Sequence, residues 1–171
     1  MRTAEIKRKT NETEILIKLN IGGKGKSNVK SPIGFLAHML ESFAKHGQFD
    51  IDANIKGDIN VDQHHTVEDT GIVLGEAFKK ALGNMGGINR AGYFVFPMDE
   101  SLSVVAVDIS GRPFLNFDAA FKNEKIGDMQ SDLIKEFFKG FADSLKASVH
   151  VRMLYGDNDH HKAESIFKAF A

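Results

Sequence analysis

Asp62-Gln63-His64-His65-Thr66-Val67-Glu68-Asp69 has a second copy near the end of the chain, Asp159-His160-His161-Lys162-Ala163-Glu164. Four of the seven histidines lie in these two pairs, and each pair is followed by a glutamate at the same spacing. Imidazole and carboxylate are the usual ligands of a borderline divalent metal. If each copy opens a helix, consecutive side chains point about 100° apart. The two histidines of a pair then cannot chelate one ion, while the glutamate shares a side with one of them. Each pair is therefore expected to divide its histidines between two metals or two subunits. A lone His-His has little specificity. The repeated HHxxE has more, and outweighs the alternative of two surface helix starts rich in histidine by chance.

Composition narrows the classes. The chain has 171 residues, 42% hydrophobic, enough for one domain with a sizeable core. A net charge of −1 leaves no broad electrostatic footprint for nucleic acid or an anionic membrane. The absence of cysteine excludes disulfides, zinc-thiolate sites and thiol catalysis. No stretch resembles a signal peptide and no apolar run approaches a membrane span, so a cytoplasmic protein is the expectation.

Outward from the histidines, the pattern alternates strand and helix. Ile15, Ile17, Leu19 and Ile21 alternate with Leu16, Lys18 and Asn20, and residues 2–21 read as two strands around the polar turn 9–13. Ser31-Pro32 reads as a helix entrance, with Ser as N-cap and Pro in the first turn. That helix runs to about His46, with Leu36, Met39, Leu40 and Phe43 on one stripe and His38 roughly opposite. Residues 48–61 read as a strand or hairpin, and the first HHxxE opens a helix to about Leu82 with Val67, Leu74, Phe78 and Ala81 inward. Strands follow at 92–97 and 101–109, with another after Gly111-Arg112-Pro113. A helix is expected over Asp132–Ala147, a strand over 148–155, and then the second HHxxE.

The two halves align. His38-Met39-Leu40 matches Glu136-Phe137-Phe138, and Phe43-Ala44 matches Phe141-Ala142, at one offset that nearly holds for the two HHxxE copies. The expected fold class is α+β, an internal duplication of two βββαβα-like halves. Each half is a mostly antiparallel sheet with helices on one face, the helices packing between the sheets. The halves are placed at residues 1–87 and 88–171 of one compact domain. His38 and Glu136 fall at matched positions off the core, so the metal-ligand set becomes His38, His64, His65, Glu68, Glu136, His160, His161 and Glu164. Mixed nitrogen and oxygen donors without sulfur suit Mn²⁺, Zn²⁺ or Fe²⁺. Arg90 and Arg112 follow breaks near glycine, where a guanidinium fork suits phosphate or carboxylate; an ordinary surface arginine is the plainer reading of either alone. Glu12, Asp99 and Glu100 sit in turns, and serve as acid/base groups only if folding brings them to the metals.

The segments Arg8–Thr13, Gly34–Leu40, Asp62–Gly71, Pro97–Glu100, Ser110–Pro113 and Asn158–Phe170 together resemble imidazoleglycerol-phosphate dehydratase, in order and with matching spacing. The resemblance implies the sixth step of histidine biosynthesis, in which D-erythro-imidazole glycerol phosphate loses water to give imidazole acetol phosphate. It implies two Mn²⁺ ions and a homo-oligomer, a trimer or a 24-mer built from trimers, with sites at subunit interfaces and no nucleic-acid or membrane partner. The family's ligands fall on His38, His64, His65, Glu68, His160, His161 and Glu164. Glu136 stands where the family often has histidine. Arg90 and Arg112 take the phosphate, with Asp99 grouped beside them as substrate-binding, and Glu12 takes the acid/base role beside Glu68 and Glu164. Family members continue past this last helix into a Ser/Lys-containing tail, so the 171-residue form is expected to turn over weakly. Two rivals fit the same residues: a metal-assembled structural or storage oligomer, and a dinuclear metal phosphoesterase.

Overall fold

A computed structural model describes residues 2–171. Alternation builds the first sheet. Ile15, Ile17 and Leu19 on β2 (Thr13–Asn20) face Ile55, Ala53 and Ile51 on β4 (Asp50–Gly57), and all six are buried. One face is thus apolar, and the other carries residues such as Lys18, Asp52 and Lys56. With β1 (Thr3–Lys9) and β3 (Ser27–Lys30) the sheet order is β1-β2-β4-β3, and only the β3–β4 pairing is parallel.

The second half repeats this arrangement. β5 (Ala91–Met98), β6 (Ser101–Asp108), β7 (Phe114–Asp118) and β10 (Ser148–Tyr155) form a sheet of order β5-β6-β10-β7, again with one parallel pair, β7–β10. Both halves therefore share the βββαβα plan expected of the duplication. Ser27–Lys30 carries no apolar alternation, which is why sequence places no strand there. A small hairpin, β8 (Lys125–Ile126) with β9 (Met129–Gln130), is found only in the second half.

Four helices lie between the sheets: α1 (Gly34–Gly47), α2 (His64–Leu82), α3 (Leu133–Leu145) and α4 (Asp159–Phe170). They pair across the halves, α1 with α4 and α2 with α3. Phenylalanines fill the layer; the Phe170 ring stacks on Phe43 at 5.0 Å and meets Phe138 and Phe141 edge-on at 4.9 and 4.8 Å, and Phe78 lies 5.7 Å from Phe141. Each buried ring contributes about 2–3 kcal/mol. The α2–α3 approach is closer than side chains allow. A Cβ on Gly75 would lie 2.6 Å from the Phe141 carbonyl oxygen, and one on Gly140 would lie 2.7 Å from that of Glu68.

The first helix departs from its expected entrance. Ser31 is not the N-cap and Pro32 is not in the first turn; the helix begins at Gly34, and the Ile33 cap position has no side-chain bond. Asp128, in the β8–β9 turn, accepts from the backbone N–H groups of Gly34 (2.6 Å) and Phe35 (2.8 Å). A carboxylate from the other half thus takes the capping role, while Ser31 Oγ accepts from Ile33 N in a local turn. α3 is likewise shorter than expected, ending where Lys146 turns left-handed at φ 63°.

Replacing Gly140 with Val should cost about 3 kcal/mol in denaturant-derived stability, because backbone on the facing helix cannot yield. Gly92→Ala, where an added Cβ meets nothing within 4 Å, should stay within about 0.5 kcal/mol.

Candidate metal centre

Each HHxxE opens a helix. Asn158 caps α4, its side chain accepting from His160 N and His161 N, and Asp62 Oδ1 accepts from His64 N (2.7 Å) at the start of α2. His160 and Glu164 then sit one turn apart, with Nε2 to Oε2 at 3.2 Å, and His64 and Glu68 do likewise at 3.6 Å. The cross-half helix pairing adds a third member to each. His38 of α1 places Nε2 3.8 Å from Glu164 Oε2, its ring 5.6 Å from that of His160. Glu136 of α3 joins His64 and Glu68. In each triplet the donor atoms lie within 4.8 Å of one another, a span that one divalent cation can close.

His65 and His161 do not join the triplets of their own chain. The 100° step turns each away from its neighbour's direction, where a carboxylate takes Nδ1: Asp58 Oδ2 at 3.2 Å for His65, Glu100 Oε2 at 2.7 Å for His161. Nδ1 bonded to a carboxylate fixes the ring and leaves Nε2 as the nitrogen that could bind a metal, the outer support common at metal-bound imidazoles. The Glu100 bond raises the His161 pKa and the Asp58 bond raises that of His65. His161 in turn, followed by the Asn158 backbone N–H, holds Glu100 far below the usual carboxylate range. Burial alone would raise the pKa of Glu164, but Lys168, His38 and His160 outweigh it and the net shift is downward.

Lys168 is a member of the site that sequence reading overlooked. Its Nζ lies 2.8 Å from Glu164 Oε1, with both side chains nearly buried, and it sits over the Phe96 ring at 5.5 Å. Its i+4 spacing from Glu164 was the available signal. Asp58, which orients His65, was visible only as part of a turn.

The turn carrying Glu12 is anchored beside α2. Arg8 Nη1 and Thr13 Oγ1 both donate to Asp69 Oδ2 at 2.5 Å, one residue beyond Glu68, and Asp58 N donates to the Glu12 carbonyl at 3.1 Å. Glu12 and Asp58 line a shallow hollow of about 300 Å³, on the side to which His65 turns. Asp99 lies 3.5 Å from His161 Nε2. The arginines go elsewhere. Arg90 forks onto Asp108 at 2.7 and 3.3 Å, and Arg112 lies in the turn before β7, whose Phe114 pairs with Ser148 opposite Asp108. Both therefore occupy one end of the second sheet, while Asp99 and Glu100 occupy the other, roughly 25 Å away along eight strand residues. Among the described residues neither arginine bonds to a triplet member of its own chain. His46 Nδ1 pairs with the Ser42 carbonyl and His150 packs on Phe114. No helix among the described residues is long and apolar enough to cross a membrane.

A family model described as imidazoleglycerol-phosphate dehydratase matches residues 31–171. The chain belongs to the imidazoleglycerol-phosphate dehydratase family. The protein of that name from Caldicellulosiruptor bescii is 56% identical over 98% of this chain and 87% of its own length. The one from Clostridioides difficile is 53% identical over 100% and 89%. Among solved structures, imidazoleglycerol-phosphate dehydratase from Staphylococcus aureus aligns with a TM-score of 0.84 and 33% identity, covering 98% of this chain and 93% of that one. IGPD from Pyrococcus furiosus, solved in complex with (S)-C348, aligns at 0.85 and 37%, covering 96% and 88%. The resemblance carried by the sequence motifs is thus a membership, and the duplicated α+β architecture is the dehydratase fold.

In the metal-free protein the His161 contribution to stability is full below the ordinary imidazole pKa of 6.5 and is lost as pH rises through its elevated folded pKa. That of Glu100 is present above 4.5 and lost as pH falls through its depressed one. Glu100→Gln should bring the His161 titration, followed by NMR, back toward 6.5 and flatten the loss of stability on the alkaline side.

Proposed function

We propose that this chain dehydrates D-erythro-imidazole glycerol phosphate to imidazole acetol phosphate, using two Mn²⁺ ions held in a homo-oligomer. The observation that carries this reading is the pair of triplets, His38/His160/Glu164 and His64/Glu68/Glu136, which the duplication sets at equivalent places. Their nitrogen and oxygen donors fit Mn²⁺, and a bound dication supplies Lewis acidity that stabilises negative charge on the imidazole ring of the substrate. His65 and His161, each oriented by a carboxylate, offer Nε2 to the triplets of neighbouring subunits.

The arginine placement supports the same assembly. A phosphate beside a triplet can meet Arg90 and Arg112 only if another subunit brings them, whether in a trimer or in a 24-mer built from trimers. The halves 1–87 and 88–171 then act as one duplicated unit that presents both triplets. In the reaction the hydroxyl leaves the carbon attached to the ring and a proton leaves the next carbon, so one water is lost. The resulting enol becomes the ketone. Glu12, anchored through Asp69 and Asp58 on the His65 side, moves the carbon proton. Glu68 and Glu164 complete the polar lining, and Asp99 meets the substrate beside His161.

Glu12→Gln should lower turnover by about 10²–10⁴-fold with Mn²⁺ binding unchanged, read by ultraviolet absorbance of the enol or ketone product. Release of inorganic phosphate in place of that absorbance would mark a phosphoesterase instead. Metal binding with neither signal would mark a structural oligomer.

A further inference from the structure

We propose that the two triplets are chemically unequal, the one at α2–α3 holding Mn²⁺ more tightly than the one at α1–α4, with Glu136 as the residue that sets the difference. This rests on the metal-centre reading above. The duplication would make the triplets alike, but His38 of α1 is answered at the equivalent place of α3 by Glu136. One triplet therefore offers two imidazoles and one carboxylate, and the other one imidazole and two carboxylates. Carboxylate oxygen suits Mn²⁺, whereas imidazole suits metals later in the divalent series.

The surroundings widen the gap. Glu164 has given Oε1 to Lys168 Nζ at 2.8 Å, in an ion pair whose side chains are only 11% and 12% exposed, so one oxygen and little net negative charge remain for a cation. No such lysine stands behind Glu68, where the i+4 position is Ile72. The cation beside Glu136 is Lys139, 3.8 Å away and 54% exposed, and solvent screens it. Nor can the oxygen-rich triplet spread to adjust, since Gly140 brings α3 against the Glu68 carbonyl. The additional donors, His65 and His161, are both carboxylate-held imidazoles and leave the inequality in place.

Titration of the full, metal-stripped chain with Mn²⁺, following free Mn²⁺ by electron paramagnetic resonance, should resolve two classes of site separated by about tenfold or more. Zn²⁺ should displace Mn²⁺ first from the weaker class. His160→Ala should remove that class and His64→Ala the tighter one. Glu136→His, which equalises the donor sets, should bring the two classes within about threefold. If that variant does not fold by circular dichroism, Glu136→Gln should instead weaken the tighter class alone. Two sites of equal affinity in the unaltered chain, or a separation that survives both Glu136 changes, overturns the inequality and leaves the metal centre standing. No Mn²⁺ bound at all removes the metal centre itself, and this inference with it.

Discussion

The backbone contact between α2 and α3 governs the rest of the structure. Gly71, Gly75 and Gly140 let the two helices approach until an added Cβ would meet carbonyl oxygens of the facing helix. Glycine in a helix interior costs about 1 kcal/mol each relative to alanine. What offsets that cost is dense packing between the sheets and a fixed separation between residues on different helices. Glu68 and Glu136 lie on those helices, so the separation of their backbones is set by main-chain contact, and their carboxylates lie within 4.8 Å of each other. The helix separation that this candidate triplet spans is therefore fixed by the fold itself.

The same constraint explains why the helices pair across the halves. Had each half closed on its own two helices, His38 would stand with the first HHxxE and Glu136 with the second. Instead each triplet draws one residue from the first helix of one half and two from the second helix of the other. The two halves cannot separate without dismantling both triplets. The β8–β9 hairpin ties them further: Asp128 caps α1, its carbonyl accepts from Gln63 Nε2 at 2.6 Å, and Gln130 N donates to Gln63 Oε1 at 3.0 Å, next to His64. One small element from the second half thereby steadies the helix starts that carry His38 and His64.

What a single chain leaves apart is equally informative. His65 and His161 are aimed by Asp58 and Glu100 away from the triplets, and the arginines stand at the opposite end of the second sheet from His161. Polar groups held this firmly outside the triplets fit the reading in which assembly completes the site.

Periodicity and motif spacing by themselves determined the α+β class, the duplication, nearly every strand and helix, and the His/Glu inventory, because alternation and the helical repeat record burial directly in residue order. The division of each histidine pair was also legible, since a 100° step between neighbours is a property of any helix. The tertiary structure alone decided that His38 belongs with the second HHxxE and Glu136 with the first, and that Asp128 and not Ser31 caps α1. Those facts depend on which helix faces which, a choice made by core packing among residues far apart in sequence, and no local pattern encodes it.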